Sequence, residues 1–202
     1  MIRNIIFDIG MVLVDFHWER TMSELGFSSE VISYLGKNML MHPDWKDLDL
    51  NIHPETEVVQ RFKDHNPGYE TYIDTFFSNI DEIVTTFDGA DTFMQELKEQ
   101  GYRIYLLSNY PQRMYEIHKH TRFTFYPYID GEVVSYQYKL AKPDPAIYKL
   151  LCKKYSLLPQ ECIFLDDREE NICAAKALGM EGIVVTDPFK AREELRLVLN
   201  TK

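Results

Sequence analysis

Cysteine is scarce in this sequence. There are three in 202 residues, Cys152, Cys162 and Cys173, an odd number without C-x-x-C spacing. That excludes a disulfide-stapled scaffold and suits buried or idle thiols in a reducing compartment. Long apolar runs are missing as well. No stretch approaches the roughly 18 residues of a membrane span, and Ile5-Ile6-Phe7, ahead of Asp8, is far shorter than the apolar core of a secretion signal. The chain is therefore expected in the cytoplasm. Positive charge is in deficit, with 22 Lys and Arg against 32 Asp and Glu and a net charge of −10. A general nucleic-acid or anionic-membrane surface is excluded, and an anionic substrate would need a locally positive pocket. None of the six histidines has zinc-site spacing. His118 and His120 fall on different helical faces and are expected to be solvated or capping side chains. Nine Gly and nine Pro leave no room for a large disordered or collagen-like segment.

What is present is an ordinary globular composition, 45% hydrophobic and 27% charged. A chain of this length buries roughly 70% of its unfolded surface, enough for one core and a small accessory unit. Ile5-Ile6-Phe7 reads as a buried strand that ends at Asp8, and Val12-Leu13-Val14 follows a turn at Gly10. Residues 17–87 then change to helical periodicity, through Met22, Leu25, Val58, Phe62, Ile73 and Phe76, with no strand signal of their own. From 88 onward helix and strand alternate. Helices are predicted at Asp91–Glu99, Pro111–His120, Pro145–Tyr155, Asn171–Leu178 and Lys190–Leu199. Strands are predicted at Tyr102–Leu107, Cys162–Leu165 and Gly182–Val185, with Phe123–Tyr138 an irregular aromatic stretch. The predicted class is α/β: a Rossmann-like parallel sheet covered by helices on both faces, formed by 1–16 and 88–202, with 17–87 an inserted all-helical cap.

The polar residues that follow the strands are Asp8, then Ser108 and Asn109, then Asp166 and Asp167. A parallel sheet brings strand ends to one crevice. Singly, each residue reads as a turn former or helix cap. Together, and with Lys142, they read as a site, because a cap needs neither a lysine nor a second carboxylate. Carboxylates held close on neighbouring strands call for a shared cation, and Mg²⁺ suits oxygen ligands. With metal and Lys142 neutralising an incoming phosphate, Asp8 can attack phosphorus while Ser108 holds an equatorial oxygen.

Phe7-Asp8-Ile9-Gly10, Leu106-Leu107-Ser108-Asn109, Lys142-Pro143-Asp144-Pro145 and Phe164-Leu165-Asp166-Asp167 resemble, in order and placement, the four motifs of the haloacid dehalogenase-like superfamily. The insert is similar to the helical cap of its subgroup I. The pattern from Asp8 to Asp15, together with Asp166-Asp167-x-x-x-Asn171, resembles sugar phosphatases of the glucose-1-phosphatase type. The resemblance implies a small phosphorylated metabolite as substrate, Mg²⁺ as cofactor and an aspartyl-phosphate on Asp8. It implies Ser108 and Asn109 as substrate-binding residues, Lys142 as the charge-neutralising lysine, and Asp8, the Gly10 carbonyl and Asp167 as metal ligands, supported by Asp166 and Asn171.

Gly10 departs from the pattern, since most phosphatases of the superfamily carry a proton-transferring aspartate there. Asp15 and His17 are the candidates to replace it. Trp18, His42, Trp45 and Lys46 of the insert, and Tyr110 after the second motif, are candidate specificity contacts. Two other readings compete: a metal-free 2-haloacid dehalogenase, disfavoured by the Asp166-Asp167 pair, and a phosphate-ligand binding protein that lost turnover along with the aspartate. Nothing in the sequence indicates an oligomeric state.

Overall fold

The computed structural model describes residues 1–200. In chain order the elements are β1 (Asn4–Phe7), β2 (Val14–Phe16), α1 (Trp18–Glu24), α2 (Ser29–Leu35), α3 (Trp45–Leu50), α4 (Glu55–His65), α5 (Glu70–Ser78), β3 (Val84–Thr86), α6 (Ala90–Glu99), β4 (Arg103–Ser108), α7 (Gln112–Thr121), β5 (Gly131–Val134), α8 (Ser135–Tyr138), α9 (Pro145–Tyr155), β6 (Cys162–Asp166), α10 (Glu169–Ala177), β7 (Glu181–Val184) and α11 (Pro188–Asn200). Five strands form a parallel sheet in the order β5-β4-β1-β6-β7. Successive residues of a strand face opposite sides. Ile5 and Phe7 accordingly join one buried cluster with Phe93, Leu97 and Leu195, whereas Ile6 joins another with Ile147, Tyr148 and Ile172. Helices α6 and α11 cover one face of the sheet and α9 and α10 the other, which is why these strands are apolar throughout.

Register sets the site. Phe7 lies opposite Leu106 of β4 and Leu165 of β6, so Asp8, Ser108 and Asp166 leave the sheet at nearly one level. The Asp8 N–H extends the ladder by donating to the Leu165 carbonyl at 2.9 Å. In the Lys142 loop, the Asp144 side chain accepts from the Ala146 N–H at 2.8 Å and Pro145 opens α9. This is the arrangement of a capped helix start that fixes the chain entering it.

Two expectations are corrected. Residues 17–87 are not wholly helical, because β3 falls among them and pairs antiparallel with β2. The two strands form a three-residue ribbon that brackets α1–α5, too short to register as alternation. The stretch read as irregular, Phe123–Tyr138, contains edge strand β5 and the single turn α8. Gly131 opens β5 because the Tyr155 ring lies against it: a Cβ there would stand 2.3 Å from ring carbons. Within the insert, Phe62, Phe76 and Phe77 are buried, and Trp45 packs on Phe62 and Phe77 with ring centroids 6.3 and 6.1 Å away. No helix among the described residues is long and apolar enough to cross a membrane.

Candidate active site

Asp8, Gly10, Ser108, Asn109, Lys142, Asp167 and Asn171 line one crevice of about 240 Å³, together with Phe16, Trp45, Asp49, Val84 and Met114. One oxygen of Asp8, Oδ1, accepts from the Ile9 N–H at 2.7 Å, the Ser108 hydroxyl at 2.6 Å and the Lys142 ammonium at 2.8 Å. The second oxygen has no partner among the described residues. Burial pushes the Asp8 carboxyl up to about 6; Lys142 opposes that shift and Asp166 adds to it.

Lys142, its side chain 1% exposed, bridges Asp8 and the fully buried Asp166, which it meets at 2.6 Å. Burial works against its charge, but the two carboxylates outweigh that and hold its pKa above the usual lysine value. Both oxygens of Asp166 are engaged. One oxygen takes the lysine; the other takes the Arg168 N–H and the Asn171 amide, both at 2.8 Å. Asp166 thus positions Lys142 and Asn171. Asp167, partly exposed, has its pKa raised by burial and by Asp166.

The donor set fits a hard divalent cation. Carboxylate oxygens of Asp8, Asp166 and Asp167 gather within 4.8 Å of one another, and the buried Oδ1 of Asn171 has no hydrogen-bond partner. An orphaned amide oxygen beside clustered carboxylates is the chemistry a Mg²⁺ shell of carboxylates, carbonyls and water requires.

Other anticipated residues lie differently. Asn109 grips the main chain of Lys142, accepting from its N–H at 2.8 Å and donating to its carbonyl at 3.0 Å. Its amide therefore holds the lysine loop at the crevice wall. Asp15 faces away: along β2, Val14 and Phe16 line the crevice while Asp15 lies 4.0 Å from Arg20, as strand alternation demands. His17 is held between the Thr21 and Thr85 hydroxyls at 3.1 and 2.9 Å, outside the crevice. Trp18 packs on Gly36. His42 joins Asp44 and His65 on the insert, with its Nδ1 3.7 Å from the Asp44 carboxylate, and neither it nor Lys46 lines the crevice. Trp45 and Tyr110 do.

His118 is neither solvated nor a cap. It is buried, its Nδ1 accepting from the Tyr110 hydroxyl at 2.8 Å and its Nε2–H donating to the Ile80 carbonyl at 3.1 Å, and it shares the inward face of α7 with Met114 and Tyr115. Asp49 was not anticipated at all. It stands four residues after Trp45 on α3, the spacing that puts two side chains on one helical face, and that spacing is the sequence signal that could have found it.

A parallel α/β sheet with a lysine-bridged aspartate pair at its carboxyl edge, beneath a helical insert, is the architecture of a hydrolase with an α/β fold. The family's sequence model matches residues 2–179, and the chain belongs to the haloacid dehalogenase-like hydrolases. It is 24% identical to the D-ribitol-5-phosphate phosphatase of Bacteroides thetaiotaomicron over 230 aligned positions covering 100% of both chains. It is 32% identical over 105 residues to the sesquiterpene phosphatase astK of Aspergillus oryzae, an alignment covering 52% of this chain and about half, 53%, of that relative. A HAD family enzyme of Bacteroides thetaiotaomicron, crystallised with magnesium and inorganic phosphate, superposes with a TM-score of 0.72 at 22% identity, covering 91% of this chain and 93% of that one.

Proposed function

We propose that this protein is a Mg²⁺-dependent phosphatase of a small phosphate ester, a sugar phosphate favoured, working through an aspartyl-phosphate on Asp8. The observation that carries the reading is the asymmetry of Asp8. Three donors fix one oxygen and leave the other unpartnered, beside the lysine that offsets phosphate charge. Fixing a nucleophile before reaction removes much of the orientational cost of attack, and Lys142 and the Ser108 hydroxyl stabilise charge on the transferring group. Asp8, the Gly10 carbonyl and Asp167 would hold the Mg²⁺, with Asn171 in support. The ion would neutralise phosphate charge and polarise the phosphoryl oxygens. Attack by Asp8 oxygen on phosphorus expels the alcohol; water then cleaves the acyl phosphate, releasing inorganic phosphate and restoring Asp8.

The insert, 17–87, acts in this reading as a cap over 1–16 and 88–202. Its side of the crevice meets the organic part of the substrate, with Trp45 presenting an aromatic face. A crevice smaller than the roughly 300–1,000 Å³ typical of sites for drug-sized ligands favours a small metabolite.

The test is a panel of phosphate esters with Mg²⁺, namely hexose 1- and 6-phosphates, phosphoglycolate and nucleotides, run on the native protein and on Asp8→Asn. Hydrolysis that EDTA and Asp8→Asn both abolish is expected. A flat panel alongside EDTA-resistant halide release from 2-chloropropionate would replace this reading with the dehalogenase one. Phosphate binding without turnover would replace it with the binding-protein one.

A further inference from the structure

We propose that Asp49, carried on α3 of the insert, transfers the proton at the leaving oxygen and then at the attacking water. The inference rests on the phosphatase reading and supplies what that reading lacks. An alcohol leaves as an alkoxide unless a positioned acid protonates it, a contribution of about 10²–10⁴-fold.

The titratable side chains lining the crevice are Asp8, Asp49, Tyr110, Lys142, Asp167 and Arg168. Asp8 forms the bond to phosphorus. Lys142 is locked between two carboxylates. The Tyr110 hydroxyl is turned away to His118, and burial raises its pKa. Arg168 pairs with Glu170 at 2.6 Å, and a guanidinium does not give up its proton. Asp167 belongs to the metal set. Asp49 alone is left, and it reaches the crevice that holds Asp8 from the insert.

Two further observations fit the role. The structure gives the Asp49 carboxylate no hydrogen-bond or ion-pair partner among the described residues, so it is free to meet a ligand. Its main chain is not free. The Asp49 carbonyl accepts from the Ser135 hydroxyl, whose oxygen accepts from the Tyr110 N–H at 3.0 Å. The insert is thereby tied, through one hydroxyl, to the loop that follows Ser108. The charged groups around Asp49 are Lys142, Arg168 and Lys46, which favour its anion, and Asp8, which opposes it. Burial is the largest influence and pushes its carboxyl up to about 7, so near neutrality it can both give and take a proton.

The step balances. Protonated Asp49 gives its proton to the bridging oxygen as the P–O bond to the alcohol breaks and the Asp8–phosphorus bond forms. The resulting Asp49 carboxylate removes a proton from water, whose oxygen attacks phosphorus as the Asp8–phosphorus bond breaks. Inorganic phosphate leaves, and both aspartates are restored.

Asp49→Asn, with Asp49→Ala as a second variant, tests this with Mg²⁺ on two substrates: an unactivated alkyl ester, glycerol phosphate, and 4-nitrophenyl phosphate, whose leaving group needs no acid. On the alkyl ester, kcat should fall about 10²–10⁴-fold with KM little changed. On 4-nitrophenyl phosphate, rapid mixing should show a burst of one nitrophenolate per enzyme at near the native rate, then slow turnover while the aspartyl-phosphate waits for water. Native kinetics in both variants, or an equal loss in the first turnover of both esters, would overturn the role of Asp49 and leave the phosphatase reading standing. A native protein that hydrolyses neither ester would overturn that reading and this inference with it.

Discussion

Lys142→Met removes the cation between two buried carboxylates while keeping most of the side-chain volume. The carboxylate oxygens of Asp8 and Asp166 lie within 4.8 Å of each other. At an effective dielectric of about 20, two such charges repel by about 3.5 kcal/mol, within the roughly 3–5 kcal/mol lost when one partner of a buried ion pair is removed. The variant can escape part of this by protonating Asp8, already raised to about 6 with the lysine present and raised further without it. A carboxyl whose folded pKa exceeds its unfolded value takes up protons on folding, so the folded state gains stability as pH falls. The penalty should therefore be largest, about 3 kcal/mol, at pH 8 and shrink to about 1 kcal/mol by pH 5, on the same principle. Urea unfolding of both proteins in EDTA at the two pH values measures it. A penalty equal at pH 5 and pH 8, or one below about 1 kcal/mol at pH 8, would refute the assignment of Lys142 as the counterion of both aspartates.

Two further predictions concern groups away from the chemistry. Burial pulls the pKa of His118 down to about 4, so the unfolded chain binds the proton first. Stability is then full above about 6.5 and declines as pH falls toward 4, by up to about 3 kcal/mol; His118→Gln should flatten that slope in thermal melts, and a slope unchanged in the variant would place its origin elsewhere. Cys173 is exposed, whereas Cys162 is buried with its thiol pushed up to about 12 by that burial. An aromatic disulfide reagent at pH 8 should thus label Cys173 in the folded protein and spare Cys162, as read by peptide mass mapping; labelling of Cys162 at a comparable rate would contradict its burial.

The strand ends were legible because buried runs such as Ile5-Ile6-Phe7 and Ile163-Phe164-Leu165 stop abruptly at carboxylates, and a parallel sheet gathers such stops on one edge. What escaped reading depends on contacts made across the chain. The ribbon of β2 and β3 is three residues per strand and exists only because the two ends of the insert meet. Strand β5 starts with a glycine whose reason is the Tyr155 ring 24 positions later. Asp15 looked well placed by its nearness to Asp8 in sequence, yet one step along a strand reverses a side chain. Asp49, in the run Asp47-Leu48-Asp49-Leu50, looks like a solvated helix, and only the packing of α3 on α8 turns it inward. His118 carried a signal that went unused, its spacing of four from Met114.

The three neighbouring strands β4, β1 and β6 set Asp8, Ser108 and Asp166 at nearly one level by backbone register. A one-residue insertion or deletion in any of them would swap the two core faces and displace Asp8, Ser108 or Asp166 in the same stroke. The segment between β2 and β3 is not bound by strand register: it enters and leaves through a short ribbon and packs on the rest through the shared buried cluster and side-chain hydrogen bonds. On the proposed reading the insert contributes Asp49 to the chemistry as well as its side of the crevice to the ester, so it is not a passive cover. An engineer seeking a different ester would vary the crevice-lining residues of the insert, retain Asp49, and leave the strands untouched.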